Sequence, residues 1–284
     1  MGEADRAVQH ISDTARWAAV YRARESERPD ALFRDPFARR LAGDLGEEIA
    51  QAFPLHEKNA WSWVTRTYAF DHFIREQIEL GADLVVNLAA GLDARPYRME
   101  LPASFPWVEV DLPGILDYKE QILAGEKPRC ALERVRMDLA DVGARRELFE
   151  SLGRRASKAL VVTEGLLVYL SAGEVGALAE DLARPPAFQR WVLDLASPRL
   201  LKMIQEGTHD QFGDSVARLQ FAPENGPEFF TAHGWRLAAL RSTLKTAASL
   251  DRLPLWLRLM SFLPENPAHS GSRPWSGICL MQRM

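Results

Sequence analysis

Apolar residues follow two different spacings along this chain, and the spacing changes near residue 81. Before that point they recur every three or four positions between prolines and glycines, which predicts helices. After it, short apolar runs alternate with amphipathic stretches, which predicts strands and helices in turn. We expect a helical cap over residues 1–80 and an α/β domain with a sheet of about seven strands over residues 81–284.

The N-terminal helices have recognisable starts and ends. Ser12 and Thr14 are suited to cap a first helix, and Asp35 precedes a proline that suits the first turn of a second. The longest apolar face extends from Asn59 to Leu80, and Gly81 is suited to end that helix. We predict that these helices cover the ligand-binding edge of the following sheet.

The runs that predict strands are short and apolar, and several end in a glycine or an acid. The first begins at Leu84, and the others lie at residues 107–111, 135–139, 159–165, 190–195, 235–240 and 278–281. Near-continuous apolar runs are typical of parallel strands that are covered on both faces. Ser171 and Glu174 have the spacing of a capping box, which predicts a helix after the fourth strand.

One glycine and three acids occupy the ends of the first four predicted strands: Gly91, Asp111, Asp138 and Glu164. In open α/β sheets ligands bind outside the carboxyl ends of the strands, so these residues would share one site. A glycine allows a ligand to approach the backbone closely, and Asp111 is suited to accept hydrogen bonds from ribose hydroxyls. The chain lacks the three glycines of a pyrophosphate-binding turn, whereas clustered acids tolerate a sulfonium and an ammonium. We therefore predict a nucleoside ligand without phosphates, of which S-adenosylmethionine is the common one.

Each of these residues also has an ordinary structural interpretation. Gly91 and Asp111 could belong to a plain strand–helix turn, and Asp138 could cap the helix that follows it. Arg66, on the longest N-terminal helix, is either a surface residue with a packed stem or a fork-shaped donor for the cofactor carboxylate. The spacing of the residues alone leaves these alternatives open.

Composition and charge narrow the possible classes of protein. The 284 residues are 47% hydrophobic and 26% charged, which is typical of a globular protein. The formal net charge of −4 argues against a nucleic-acid-binding protein. No apolar run approaches the roughly 18 residues of a membrane span, and the polar N-terminus lacks the apolar core of a signal peptide. Two cysteines and six scattered histidines predict no metal site. We expect a cytoplasmic protein with neither a membrane nor a nucleic-acid partner, and the oligomeric state stays open.

A further apolar stretch lies between the sixth and seventh predicted strands, within an insertion at about residues 242–275. The segment Leu250–Leu263 is strongly apolar, with charges only at Asp251, Arg252 and Arg258. Such a segment predicts a half-buried helix or, alternatively, a lid or wall of the substrate pocket.

Several segments resemble the leucine carboxyl methyltransferase family. They are Val85–Arg95, Glu109–Pro113, Asp138–Leu139 and Thr163–Leu170, and the region Ser12–Pro36 is similar to the bacterial branch. The resemblance implies a class I methyltransferase with a Rossmann-like sheet and S-adenosylmethionine as methyl donor. It also implies a carboxyl or hydroxyl oxygen, here of a small-molecule partner, as the methyl acceptor.

The resemblance implies a cofactor contact for each residue that matches a family motif. Arg66 would bind the cofactor carboxylate, and Gly91 would lie beside the methionine part. Asp111 would bind the ribose, while Asp138 and Leu139 would contact the adenine. These roles are expectations that follow from motif position.

The expected reaction is an in-line displacement at the sulfonium methyl group by an oxygen nucleophile. The resemblance places Glu164 near the cofactor amino group and the acceptor. A carboxylate acceptor is ionised at pH 7 and needs no base, whereas a hydroxyl would need one from Glu164, Tyr169 or His233. Glu164 and Tyr169 are the candidate catalytic residues.

Two other functions compete with methyl transfer. The chain could bind S-adenosylmethionine without turnover, or it could be a nicotinamide-dependent oxidoreductase, against which the missing glycines argue. The sequence also departs from the family at two places. Ala89 stands where the family often has a glycine, and Ala15 or Arg16 lies near the place of an N-terminal lysine in the eukaryotic members.

Overall fold

The computed structural model describes residues 11–52, 59–212, 219–267 and 273–284. Within these ranges the chain forms seven strands that pair into one sheet. The strands are β1 (Leu84–Leu88), β2 (Pro106–Asp111), β3 (Ala131–Arg136), β4 (Ala159–Thr163), β5 (Phe188–Ala196), β6 (Trp235–Ser242) and β7 (Ser276–Arg283).

Helices precede the sheet and connect its strands in the same described ranges. The α-helices are α1 (Ile11–Ser26), α2 (Ala38–Ala52), α3 (Ala60–Glu79), α4 (Arg95–Arg98), α5 (Pro113–Ile122), α6 (Val142–Gly153), α7 (Ala172–Ala183), α8 (Pro198–Phe212), α9 (Thr243–Ser249) and α10 (Leu255–Ser261). Two 3₁₀ helices lie at Leu167–Tyr169 and Gly226–His233.

The order of the strands determines which chain segments meet at each edge of the sheet. The order is β3-β2-β1-β4-β5-β7-β6, and β1 to β5 pair in parallel. Because β7 is antiparallel to both β5 and β6, β6 runs in the same direction as β1 to β5. The carboxyl ends of these six strands therefore share one edge, and the amino end of β6 lies at the opposite edge.

Burial explains why β1 and β4 form the centre of the sheet. Every residue of both strands is buried, which suits their continuous apolar sequences. Successive side chains point to opposite faces of a strand. Val86 and Val161 accordingly pack in the core on one face, whereas Val85, Leu160 and Val162 pack in the core on the other.

The N-terminal helices pack onto the segment that follows β1. Trp17, Val20 and Leu41 form a core cluster together with Leu92 and Tyr97, which lie just beyond the carboxyl end of that strand. This packing sets α1 and α2 beside the edge where the first strand ends. The predicted division of the chain into a cap and a sheet domain stays a prediction.

Three predicted helix boundaries can be compared with the structure. The predicted helix from Asn59 to Leu80 corresponds to α3, after which Gly81 adopts φ +91°. The second helix begins three residues after Asp35, whose Oδ1 accepts from the Phe37 N–H at 3.1 Å. Ser12 and Thr14 lie inside α1 as described rather than before it, so the prediction that they cap this helix is wrong.

The predicted position of the third strand is also wrong. The sequence predicts residues 135–139, whereas β3 is Ala131–Arg136. The apolar pattern is weak here because β3 is an edge strand with exposed and half-buried residues and no fully buried one. Asp138 therefore lies two residues beyond the strand.

The predicted half-buried helix at residues 250–263 is contradicted as well. The helix of this segment, α10, has no buried residue. Leu255, Trp256, Leu259 and Phe262 are 69–82% exposed. The segment is anchored at its start instead, where Arg252 pairs with Glu25 of α1 at 2.9 Å.

Candidate functional site

Hydrogen bonds to an acid at the end of β2 fix the conformation of the turn after β1. The Gly91 N–H donates to Asp111 Oδ2 at 2.6 Å, and the Leu112 N–H donates to Asp111 Oδ1 at 2.7 Å. Gly91 has φ +48°, a conformation that residues with a side chain rarely adopt. A Cβ at Gly91 would lie 3.3 Å from the Cβ of Ala15, at the start of α1. The backbone of this turn is therefore closely covered on one side and partly exposed on the other.

Arg66 lies between two acids at the ends of neighbouring strands. Its Nε donates to Glu164 Oε1 at 3.1 Å, and its Nη1 lies 3.6 Å from Asp194 Oδ2. Glu164 directly follows β4 and Asp194 lies near the end of β5, so the strand register brings both acids to one edge. The three side chains are 16–22% exposed, and a ligand at this edge can reach them.

Gly165 makes this arrangement possible. It has φ +68°, and its N–H donates to Asp194 Oδ1 at 2.7 Å. A Cβ at this position would lie 3.4 Å from Arg66 Nη1. That distance is an ordinary van der Waals contact, so the glycine is required by the positive φ of the turn and not by the space for the guanidinium.

Arg95 extends the charged cluster into the interior. Its side chain is 3% exposed, and its Nη1 lies 2.8 Å from Glu164 Oε2 and 2.9 Å from Asp93 Oδ2. Its Nε donates to Asp71 Oδ1 at 2.6 Å. Burial disfavours ionisation of Asp71 and Asp93, but the nearby arginines outweigh it and hold the pKa of both carboxyls below the usual value.

Two carboxylates at the sheet edge have pKa shifts in the opposite direction. Burial raises the pKa of Asp111, although its carboxylate accepts two backbone hydrogen bonds. Burial likewise raises the pKa of Asp194, against the attraction of Arg66. Because burial disfavours their ionised forms, the approach of a cation or a hydrogen-bond donor stabilises these two carboxylates more than it would stabilise an ordinary exposed aspartate.

Asp138 and Leu139 lie beside this cluster without contacting it. The Met137 N–H donates to the Asp111 carbonyl at 2.9 Å, which brings their segment next to the end of β2. Asp138 is exposed, and its Oδ1 accepts from the Ala140 N–H at 2.9 Å. The cap of α6 is Asp141 rather than Asp138, so the alternative that Asp138 caps this helix is wrong.

The two other candidate bases differ in position. The Tyr169 hydroxyl donates to Thr14 Oγ1 at 3.3 Å, and burial raises the pKa of Tyr169, so the phenol stays protonated at pH 7. His233 lies just before the amino end of β6, at the opposite edge of the sheet, with Nδ1 3.0 Å from Glu180 Oε1. The suggestion that His233 serves as the base is therefore wrong.

Some residues at the site were not predicted from the sequence. Asp194 lies one residue before the end of the predicted strand at residues 190–195, and a search for acids near strand ends, rather than only at them, would have found it. Arg95 gave no such signal, because only the fold brings it against Glu164. Leu112, beside Asp111, is 46% exposed and offers an apolar surface at the strand end.

The structure shows which residue lies near the place of the N-terminal lysine of the eukaryotic family members. Ala15 is the residue that lies over Gly91. The Arg16 guanidinium instead lies 3.8 Å from the centroid of the Tyr118 ring, and its Nη1 donates to the Ala42 carbonyl at 3.4 Å. Neither residue places a cation at the turn.

Comparison with known proteins identifies the family. The sequence model of leucine carboxyl methyltransferase matches residues 15–183. The chain belongs to the leucine carboxyl methyltransferase family. A relative from Parafrankia sp. is 35% identical over 264 residues, which cover 88% of this chain and 84% of the relative. Another from Mycobacteroides abscessus is 32% identical over 258 residues and covers 82% of each chain. Both carry provisional names as S-adenosyl-L-methionine-dependent methyltransferases.

Solved structures agree with the fold of this family. A crystal structure from Thermobifida fusca, provisionally described as a methyltransferase, has a TM-score of 0.55 and 16% identity, and the match covers 99% of this chain and 97% of that one. A protein of the DUF574 family from Streptomyces avermitilis has the same TM-score and 13% identity, over 99% of this chain and 100% of that one. The predicted α/β fold of the class I methyltransferases, the family, and the enzyme class with its S-adenosylmethionine dependence are confirmed.

Two kinds of feature are absent from the described ranges. No helix there has both the length and the apolar character that crossing a membrane requires. In the same part of the chain, no group of three or more His, Cys, Asp or Glu side chains is arranged to hold a metal ion.

Proposed function

We propose that this protein transfers the methyl group of S-adenosylmethionine to a carboxyl or hydroxyl oxygen of a small-molecule acceptor. The observation that carries the proposal is the position of Arg66 between Glu164 and Asp194, at the same edge as Gly91 and Asp111. A guanidinium flanked by carboxylates matches the carboxylate and ammonium of an amino acid.

The charges of the cluster suit the cofactor. Two guanidiniums, of Arg66 and Arg95, face three carboxylates, of Asp93, Glu164 and Asp194, and this excess of negative charge favours a ligand with a net positive charge. The amino-acid end and the sulfonium together carry such a charge. A pyrophosphate would be repelled, which agrees with the preference for a phosphate-free nucleoside.

The nucleoside would extend along the edge towards β3. Asp111 keeps acceptor capacity on both carboxylate oxygens beyond its two backbone bonds, and it would accept from the ribose hydroxyls. Leu112 and the half-buried Leu139 provide apolar surface for an adenine ring. The exposed carboxylate of Asp138 would accept from the exocyclic amine.

The chain's own contribution to the reaction is mainly positioning. Bound S-adenosylmethionine would supply an electrophilic methyl group, and a carboxylate acceptor would need no base. Tyr169 stays protonated at pH 7, so it would not take the proton of an acceptor, and it would donate to an acceptor oxygen only by giving up its hydrogen bond to Thr14 Oγ1. Glu164 has both oxygens engaged by arginines, which favours a role in binding charge over one in proton transfer.

A hydroxyl acceptor would require a proton acceptor, and Asp194 is the best-placed one. Its carboxylate is partly exposed beside Arg66, and its raised pKa makes it a stronger base than an ordinary aspartate. Binding without turnover is the alternative function that these contacts also support. Only detection of a methylated product separates the two.

Titration calorimetry with S-adenosylmethionine and S-adenosylhomocysteine tests the cofactor part of the proposal. Wild type should bind both, and Asp111→Ala should weaken binding by about tenfold or more, because hydrogen bonds to a charged group are lost. Arg136→Ala is the matched control, since Arg136 pairs with Asp111 in the sheet register but its side chain contacts Asp117. No binding to wild type would contradict the proposal.

A methyl-transfer assay with carboxylic acids and phenols tests the acceptor part. Transfer of the labelled methyl group from the cofactor to a carboxylic acid or a phenol would support an oxygen acceptor. Cofactor binding with transfer only to amines or thiols would contradict it. Binding with no transfer to any acceptor would favour the binding protein.

A further inference from the structure

Arg95 is buried at the point where the cofactor site meets the protein interior. One of its nitrogens, Nη1, contacts both Glu164 and Asp93, and Nε contacts Asp71. Its Nη2 donates to the Thr67 carbonyl at 3.4 Å. All three nitrogens are therefore engaged, and the guanidinium is fixed in orientation.

The anchors of Arg95 are themselves rigid. Asp71 lies on α3 and also accepts from both terminal nitrogens of Arg98, at 2.6 and 2.7 Å. Asp93 accepts from the Asn87 side chain at 2.9 Å and from the Arg95 N–H at 2.8 Å. Asp71 and Asn87 are buried, so the anchors have little freedom to move.

Glu164, in contrast, has no equivalent anchor apart from Arg95 among the residues that the structure describes. Its Oε2 contacts Arg95, and its Oε1 contacts Arg66, which is partly exposed at the sheet edge. A long carboxylate side chain has several rotamers, and one fixed oxygen selects among them. The contact with Arg95 therefore keeps Glu164 Oε1 directed towards the edge of the sheet, where it could contact a ligand.

We infer that Arg95 is a positioning residue that holds Glu164 for the amino-acid end of the cofactor. This inference rests on the proposed function of the site. Arg95 would not touch the cofactor; it would fix the carboxylate that does. Substitution of Arg95 should therefore weaken the binding of ligands that have an amino-acid end. It should leave unchanged the affinity for ligands that consist of the nucleoside part alone.

Two ligands separate this role from a general structural one. S-adenosylhomocysteine has the amino and carboxyl groups, whereas 5′-methylthioadenosine has the adenosine and sulfur but lacks both. Arg95→Lys keeps the charge but loses the fork that contacts Asp71 and Glu164 together. We expect calorimetry to show at least a tenfold loss of affinity for S-adenosylhomocysteine and a change within about twofold for 5′-methylthioadenosine.

Arg98→Lys is the matched control. Arg98 lies on the same short helix and binds the same Asp71, but it does not contact Glu164. Its substitution should leave the ratio of the two affinities unchanged. Thermal unfolding of all variants checks that each is folded before the titrations.

A second variant keeps the inference testable if Arg95→Lys does not fold. Asp93→Asn removes one charged anchor of Arg95 and leaves Glu164 and Arg95 in place, so it should give a smaller loss with the same preference for S-adenosylhomocysteine. Equal weakening of both ligands, or no weakening of either, would overturn the inference while the proposed function stands. Failure of wild type to bind either ligand would overturn both.

Discussion

Asp194 has a different electrostatic setting from the two acids that lie deeper in the cluster, Asp71 and Asp93. It receives a backbone hydrogen bond from Gly165 and lies 3.6 Å from Arg66, yet burial raises its pKa. Asp71 and Asp93 lie deeper, and their arginines lower their pKa values. At the scale of a residue, the number and distance of the guanidiniums determine the direction of the shift.

Replacement of Asp194 by asparagine should raise stability and weaken binding. A raised pKa means that the folded protein holds the proton more tightly than the unfolded chain does. Ionisation therefore lowers the free energy of unfolding as the pH rises from about 4 through the raised pKa. Asp194→Asn keeps an acceptor for the Gly165 N–H, so it should be more stable than wild type at pH 7 and similar at pH 4, as measured by urea denaturation.

The same variant should bind S-adenosylhomocysteine about tenfold more weakly, because a charge facing the amino-acid end is lost. Asp138→Asn is the control for stability, since the exposed Asp138 also accepts a backbone hydrogen bond. Its free energy of unfolding should follow wild type at both pH values. A variant at Asp194 with the pH dependence of wild type would contradict the prediction.

At the scale of elements, α10 differs from the other α-helices of the described ranges because none of its residues is buried. Leu259 is 73% exposed, whereas Leu253, six residues earlier, is 8% exposed. Arg252 pairs with Glu25 and Asp30, which fixes the start of the segment to α1 and the turn after it. The anchor therefore lies before α10 and not within it.

A pair of identical substitutions tests this description of α10. Leu253→Ala should lower the free energy of unfolding by about 2–5 kcal/mol, since it removes a buried side chain from a packed site. Leu259→Ala should change it by less than about 0.5 kcal/mol. Urea denaturation measures both, and comparable losses would show that α10 is buried in solution.

At the scale of the whole molecule, one ionic network joins the N-terminal helices to the sheet. Arg22 of α1 donates to Asp35 Oδ2 at 2.9 Å and to the Leu92 carbonyl at 2.6 Å. Arg98 links the same region to Asp71 of α3. Helices that precede the sheet are thereby fixed to the turn that carries Gly91.

Asp71→Asn should destabilise the protein in a pH-dependent way. Its lowered pKa in the folded state means that Asp71 contributes stability at pH values above about 4, and this contribution is lost as the pH falls through the folded pKa. At pH 7 the variant should lose about 3–5 kcal/mol, because the buried Arg95 and Arg98 side chains each lose a charged partner. The difference from wild type in urea denaturation should shrink below pH 4.

An exposed acid provides the control for this experiment. Asp44→Asn alters a carboxylate on the exposed face of α2 and should follow the pH dependence of wild type. The free energy of unfolding of Asp71→Asn should differ from that of wild type more at pH 7 than at pH 3. If the difference is the same at both pH values, the network does not stabilise the protein through charge.

Local pattern determined much of the fold and of the site. The continuous apolar runs of β1 and β4 identify buried parallel strands, since strands covered on both faces need no polar residues. The capping box of Ser171 and Glu174 forms as the spacing predicts, because it depends only on residues within one turn. The positions of Gly91, Asp111 and Glu164 follow from the strand ends.

Tertiary structure decided the features that depend on distant partners. The edge strand β3 was misplaced because exposure on its faces removes the apolar signal. His233 was considered for the site because the sequence does not show at which edge of the sheet a loop lies. Arg95 meets Glu164 across 69 positions of sequence only because β1 and β4 are neighbours. Sequence alone determined the types of elements and the residues at their ends, since these depend on near neighbours. The fold determined which of those ends meet.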